Sequence, residues 1–280
     1  MRTRIFNKMT AREVEEYLAR GGNTIFVAVG VIEVHGEKPI DVEQIMPEAY
    51  ALVMAEKVDA LAMINLPYFF PGGTVVSNAT VQVSLKESSE YLMMLGRSLV
   101  AQGFRKIIFV SGHGPARMYI DPMCRDFFQE TKIHACHINL ANLFYLMPKL
   151  WDGPDWPEVE YGSAGAYSIM NQKQYLPVDP NAPDPIVFRD EMNPRMYRLQ
   201  KALGSIGAQT SMIYASPDHH VPNRAFRTVE ERDEACRIGE EIIRQTVDKM
   251  DLGEMMAALD GYQEYVKEMQ EKYPRLKGQY

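Results

Sequence analysis

The sequence predicts an α/β fold on a mostly parallel sheet, and three observations carry that prediction. Near-continuous apolar, β-branched runs recur at Thr24–Ile32, Ala60–Leu66 and Lys106–Ser111, the pattern of strands covered on both faces. Helix-start signals fall between these runs. Strands and helices then alternate over residues 24–140, which implies βαβ units with right-handed crossovers.

Each element has a local cause. Thr10-Ala-Arg-Glu13 is a capping box, so a short helix starts there and should stop at Gly21-Gly22. The first strand runs into a polar stretch, Glu33 to Glu43, and a helix follows over Gln44–Lys57. After the second strand, Pro67 to Asn78, with Pro71-Gly72-Gly73, is a loop longer than a connection requires. Ser84-Leu-Lys-Glu87 is a second capping box and opens a helix ending at Gly103. The third strand leads directly into Gly112-His113-Gly114, then a helix over Arg117–Glu130 and a strand over Ile133–Asn139. Beyond it, Trp151 to Tyr161 is rich in Pro, Trp and acids, and Pro177 to Pro194 carries five prolines. Thr228-Val-Glu-Glu231 is a third capping box, opening a helix to Met250, and a last helix covers Gly253–Glu271. No repeat or clean linker interrupts residues 1–280, which read as a single domain.

Composition removes several function classes. Apolar residues make up 46% and charged ones 24% of 280 residues, ample for a core. The net charge of −7 argues against a nucleic-acid partner, which calls for a basic footprint. No run approaches a membrane span, and the N-terminus lacks a signal peptide's apolar stretch. Cys124, Cys136 and Cys236 form no CxxC pair and read as reduced thiols of a cytoplasmic protein. No phosphate-binding glycine loop follows any strand.

Ligands of open parallel sheets bind beyond the carboxyl ends of the strands. Two of those ends carry metal-ligand types: Glu33-Val-His35-Gly36, with Asp41 and Glu43 close behind, and Ser111-Gly112-His113-Gly114. Glu33 and His35 share one face of an extended backbone. Imidazole with carboxylate suits Zn2+, Mn2+ or Fe2+ better than Ca2+. A lone histidine at a strand end is more often structural. The combination is more specific, and it makes a site only if the first and third strands are neighbours. His134 and Cys136 alternate with His137 on the fourth strand, so those three are not expected to share a metal. The Met-rich helical stretches read as core or subunit packing. Trp151 and Trp156 could form a lid or an oligomer contact.

These motifs resemble the creatininase (creatinine amidohydrolase) family over roughly residues 20–175. Glu33-Val-His35-Gly36 with Pro39 is similar to the family's E-x-H-G segment, and one deletion places Glu43 on its bridging aspartate. Phe70-Pro-Gly-Gly-Thr74 is similar to F-P-G-T, and Gly103-Phe-Arg-Lys to Gly112-His113-Gly114 is similar to the family's third-strand segment. Glu160 to Met170 matches a later E-H-G-G-x-x-E-T-S-L-M segment in spacing. The resemblance implies a three-layer α/β/α fold, a metal-dependent hydrolase acting on small C–N substrates, and a homo-oligomer, typically a hexamer. By this mapping one ion held by Glu33, Glu43 and His113 is complete, while a second, held by His35 and Glu43, has lost a ligand, so the resemblance implies one or two divalent ions, Mn2+ or Zn2+.

Departures narrow the chemistry. Gly114-Pro115-Ala116 offers no ligand where the family has one, Tyr161 stands in place of a catalytic His, and Ala166 in place of a Glu. Glu158, Glu160 or Asp218-His219-His220 could substitute. The catalytic set is thus Glu43, His113, Glu160 and Tyr161. Tyr is a weaker acid than imidazolium, and an amide nitrogen must be protonated to leave. A cyclic β-diketone avoids that need, because its leaving carbon is an enolate. The H-G-E-x-P-I-D-x-E run at His35–Glu43 and the F-P-G-G-T loop at Phe70–Thr74 resemble, more than creatininase itself, a branch that hydrolyses 3-dehydro-scyllo-inosose in inositol breakdown. A creatinine- or formamide-type amidohydrolase and a catalytically degenerate ligand binder are the alternatives. Ser77, Asn78, Gln82, Arg117 and Asn139 are candidate polar lining, and Asn78 and Arg117 are expected to contact the substrate.

Overall fold

The computed structural model describes residues 1–141, 143, 158–183, 194–208, 211–216 and 225–276. Strands β1 (Thr24–Val29), β2 (Leu61–Met63), β3 (Lys106–Ser111) and β4 (Ala135–Asn139) form a parallel sheet in the order β2-β1-β3-β4. Helices α2 (Val42–Lys57), α5 (Glu158–Ile169) and α7 (Val229–Lys249) cover one face. Helices α1 (Ala11–Ala19), α3 (Leu85–Gln102) and α4 (Arg117–Thr131) cover the other. Helices α6 (Pro194–Gly204) and α8 (Leu252–Lys272) come later in the chain. This is the expected three-layer α/β/α arrangement.

Alternation along the strands fills both layers. Phe26, Ala28, Ile108 and Val110 pack with Tyr50, Met54, Tyr167 and Ile243, while Ile25, Val27, Ile107 and Phe109 pack with Tyr17, Leu92, Leu99 and Phe127. Full burial of a side chain of this size contributes about 2 kcal/mol. The capping boxes at Thr10 and Ser84 both form, and Gly103 ends α3 at φ +115°. At the third box Thr228 accepts from the N–H of Glu231, and the Glu231 carboxylate accepts from the N–H of Arg227.

Several boundaries differ from expectation for visible reasons. β1 stops at Val29 rather than Ile32, because the chain leaves the ladder at Gly30, whose N–H donates to Leu66 O. A Cβ at Gly30 would overlap the Gln44 backbone. β2 ends at Met63 because side chains take the next backbone donors: Asn7 accepts from Ile64 N–H at 2.9 Å and Glu48 from Asn65 N–H at 2.7 Å. β4 begins two residues late, at Ala135.

Helices α5 and α6, which the sequence pattern does not place, begin at the ends of the two Pro-rich stretches 151–161 and 177–194. In α5 the run Gly162-Ser-Ala-Gly-Ala166 is poor by helix propensity, but its small residues let α7 approach closely. A Cβ on Gly239 of α7 would overlap the Tyr161 carbonyl and the Gly165 nitrogen, and one on Gly165 would overlap the Gly239 carbonyl carbon. Gly239→Val is accordingly expected to lower the unfolding free energy by about 3 kcal/mol in urea titrations. A change under about 0.5 kcal/mol, the scale of an ordinary surface substitution, would contradict that close approach.

Candidate metal centre

The topology places the two ligand-bearing strand ends side by side. β1 and β3 pair in register, with Val29 opposite Ser111. Beyond β1 the chain folds into a closed loop: Glu33 N–H donates to Ile40 O at 3.0 Å and Lys38 N–H to His35 O at 3.2 Å. Gly36 sits at φ +60° in that turn, a conformation glycine adopts without strain. Asp41 stands at the N-cap position of α2 without a side-chain capping bond, and Glu43 lies in the first turn, where the helix dipole favours negative charge.

Four side chains converge there. His113 Nδ1 lies 3.2 Å from Glu33 Oε1 and is hydrogen-bonded to Glu43 Oε2. The other Glu43 oxygen is 3.7 Å from His35 Nε2. One ligand atom each of Glu33, His35 and Glu43 lies within 4.8 Å of the others. Glu43 therefore stands between the two imidazoles with one oxygen toward each. Among the described residues this is the one cluster of three or more His, Cys, Asp or Glu with metal-ligand spacing, so His134, Cys136 and His137 form no second one.

Burial sets the electrostatics. Glu33, His35 and His113 are 0%, 4% and 3% exposed. Desolvation lifts the Glu43 carboxyl to about 7; neighbouring His113 opposes the shift and Glu33 reinforces it. Burial works to lower the His113 pKa, but the Glu43 and Glu33 carboxylates outweigh it and push it up to about 10. The protonated imidazole supplies the positive charge that two buried carboxylates demand. A divalent cation supplies that charge in the same place, and the donor set of carboxylate oxygens and imidazole nitrogens fits Mn2+ or Zn2+. His113 Nδ1 faces the two carboxylates, and its Nε2 is buried and without a hydrogen bond among the described residues.

Residues around the cluster fix its orientation. Thr74, 1% exposed, donates its hydroxyl to Glu33 Oε2 at 2.6 Å, which holds Oε1 toward His113. Thr74 follows Gly72, at φ +79°, which lies against Pro115 and His113. Tyr214 N–H donates to Gly73 O at 3.1 Å. Burial, with the nearby Glu33 and Glu43 charges, pushes the Tyr214 hydroxyl pKa up. The 35–41 loop is docked on α5: the buried Lys38 ammonium donates to Ser163 Oγ at 2.8 Å, and the Tyr167 hydroxyl to Asp41 Oδ1. Thr74 sat within a motif visible in the sequence. Lys38 and Tyr214 carried no such signal, and Tyr167, though within the Glu160–Met170 segment, was not singled out, since each acquires its place only through tertiary packing.

The other expected residues are placed as follows. Asp41, a rival for Glu43, stands at the α2 N-cap position and is bound to Tyr167. Tyr161 lies on α5, half-buried against the apolar layer. Glu158 and Glu160 are also on α5, with side chains outside the described residues. Ala166 is fully buried in the core, and Gly114–Ala116 form a short 3-10 turn. Asn78 and Arg117 are exposed rather than buried with the four, as is Gln82. Ser77 closes a local turn, its Oγ accepting from Ala79 N–H. Asn139 is buried and donates to His113 O at 3.0 Å. Trp151, Trp156 and Asp218–His220 lie outside the described residues.

Because His113 holds its proton well above neutral pH in the metal-free protein, a cation that takes the imidazole must displace that proton. Calorimetric titration with Mn2+ or Zn2+ at pH 8, in buffers of differing ionisation enthalpy, should report release of about one proton. Apparent affinity should fall as pH is lowered from 8 to 6, where Glu43 also protonates. Buffer-independent heats would contradict this.

The creatininase family profile, described as creatinine amidohydrolase, matches residues 7–172. Comparison of the sequence with curated proteins gives no match. Among solved structures, a manganese form of creatininase superposes with a TM-score of 0.58 at 17% identity, covering 98% of this chain and 100% of the other. A zinc–zinc form of a creatininase variant gives 0.57 at 17% identity with the same coverage. A protein from Bacteroides fragilis described as a creatinine amidohydrolase gives 0.56 at 15% identity, covering 90% and 99%. The profile match spans more than half of the chain: this protein belongs to the creatininase family.

Proposed function

We propose that the chain is a metal-dependent hydrolase that opens a small cyclic carbonyl substrate, with Glu33, His35, Glu43 and His113 as the metal ligands. The observation that carries this is Glu43 lying between His35 and His113, with Glu33 in reach of the same point. Glu33, Glu43 and His113 would hold one divalent cation, Mn2+ or Zn2+, and His35 with Glu43 would contribute to a second. Two carboxylates and two neutral imidazoles balance one dication. A second ion calls for further acids, for which Glu158 and Glu160 on α5 are the candidates. When bound, the cation supplies a nucleophilic water near neutral pH and polarises a carbonyl.

The finer proposal is a cyclic β-diketone of the 3-dehydro-scyllo-inosose type. Its support is Tyr161, which packs against the apolar layer and puts no imidazole where the family has its acid. Water adds to one ring carbonyl and the adjacent C–C bond breaks. The electron pair passes to a carbon that the second carbonyl stabilises as an enolate, and protonation there follows. No nitrogen leaving group needs a proton. Burial of Glu33, His35 and His113 limits access of bulk water to the cluster, which opens outward at the partly exposed Glu43.

A second reading, a creatinine- or formamide-type amidohydrolase, is favoured by the family profile and by Lys38. That buried amine, 5% exposed and bonded to Ser163, could protonate a leaving nitrogen in place of the missing histidine. A binder without catalysis is disfavoured because all four ligand types are retained and converge. The family supports a homo-oligomer, a hexamer, whose mass light scattering would read; no described helix is long and apolar enough to cross a membrane.

The test is incubation of the Mn2+- or Zn2+-loaded protein with the diketone, creatinine and formamide. Turnover of the diketone is expected, and Glu43→Gln should lower it by about 100-fold or more, the effect of losing a group that acts at the reacting centre. Turnover of creatinine alone would replace the diketone with the amide reading. No stoichiometric metal and no turnover would leave only the binder.

A further inference from the structure

A chain of polar side chains that the proposed reaction does not use ends at the main chain of His113. Asp121 of α4 lies 2.7 Å from His137 Nδ1, and His137 Nε2 lies 2.8 Å from Ser111 Oγ. Asn139 Nδ2 then reaches both Ser111 Oγ, at 3.4 Å, and His113 O, at 3.0 Å. The parallel register explains the convergence. Ser111 is opposite Asn139, and His137 precedes Asn139 by two, on the same face of β4.

The bonding order is that of a Ser-His-Asp triad, but its burial runs the wrong way for a nucleophile. Ser111 is 0% exposed, whereas the Asp121 side chain is 55% exposed and the His137 side chain 4%. Acyl transfer calls for the hydroxyl at the substrate and the acid buried behind it. Here the hydroxyl end is sealed inside, two residues from a proposed ligand.

We infer that Asp121, His137, Ser111 and Asn139 form a hydrogen-bonded strut that positions His113 for metal binding. A carboxylate only accepts, so Asp121 fixes the His137 proton on Nδ1 and leaves Nε2 as an acceptor. The Ser111 hydroxyl therefore donates outward to His137 and presents its lone pairs to Asn139. The Asn139 amide, its orientation set, donates to the His113 carbonyl, which Ala116 N–H also reaches at 3.2 Å. These four are positioning residues. The inference rests on reading His113 as a ligand, and it extends that reading to residues outside the ligand motifs.

Three variants, Ser111→Ala, His137→Phe and Asp121→Ala, test it through Co2+ affinity, the visible absorption of the Co2+-loaded protein and the melting temperature of the metal-free protein. Ser111→Ala and His137→Phe are expected to weaken Co2+ binding by about tenfold or more, the size of outer-shell effects on metal affinity, and to shift the absorption bands. Asp121→Ala should move both in the same direction with the melting temperature unchanged. A packing role cannot produce that result, because Asp121 projects into solvent. If His137→Phe fails to fold, Asp121→Ala decides. Wild-type affinity and spectrum in Asp121→Ala and Ser111→Ala would overturn the strut. Should the wild-type protein take up no Co2+, the metal centre itself fails. Amide hydrogen exchange at Ala116 then decides the strut: about tenfold acceleration in Ser111→Ala, read as easier local opening, supports it, and unchanged exchange overturns it.

Discussion

Two carboxylates and two imidazoles buried against one another set the terms for the rest of the molecule. An uncompensated buried charge costs several kcal/mol, so Glu33 and Glu43 can coexist only with positive charge between them. In the metal-free protein that charge is the proton on His113, held far above its ordinary range by the two acids. With one dication and neutral imidazoles the same set is balanced. Thr74 on Glu33 and Asn139 on the His113 carbonyl keep the donors aimed at the shared point.

The fold makes this convergence inexpensive. Glu33 and His113 are separated by a helix, a strand and a second helix, yet the order β2-β1-β3-β4 makes their strands neighbours. Each strand end only needs to continue a few residues past the ladder for its side chains to meet. The turn at Gly36 and the α2 cap bring Glu43 back over that end. Behind them, Lys38–Ser163 and Asp41–Tyr167 tie the loop to α5, which the glycine contact at Gly165 and Gly239 locks onto α7. The α5–α7 contact is thus joined, through these two hydrogen bonds and through packing, to the loop carrying His35.

What could be read from the sequence was what local pattern encodes. The strands were legible because residues buried on both faces must be apolar along their whole length, as in Thr24–Val29. The boxes at Thr10 and Ser84 were legible because capping is a four-residue affair. Glu33, His35 and His113 stood out as ligand types at strand ends, with glycines flanking the histidines, and Glu43 as an acid close behind that the family resemblance singled out. The ends of β1 and β2 were not legible, since they depend on Gly30 meeting Gln44 and on Asn7 and Glu48 taking backbone donors from distant segments. α5 was hidden because its glycines argue against a helix until α7 is known to lie on them. His137 showed only as lying on the face away from Cys136; its partners, Ser111 and Asp121, come from the neighbouring strand and the preceding helix. Tyr214 and Lys38 gained their roles the same way, whereas Thr74 stood in the visible Phe70–Thr74 motif and only its bond to Glu33 was hidden.

The most direct test is diffraction from Mn2+-soaked crystals with data on both sides of the manganese absorption edge. An anomalous peak is expected within coordination distance of Glu43, with Glu33 and His113 among the nearest donors. Diffraction that shows manganese elsewhere, or no anomalous peak beside Glu43 at saturating Mn2+, would contradict a metal-dependent hydrolase built on these four residues.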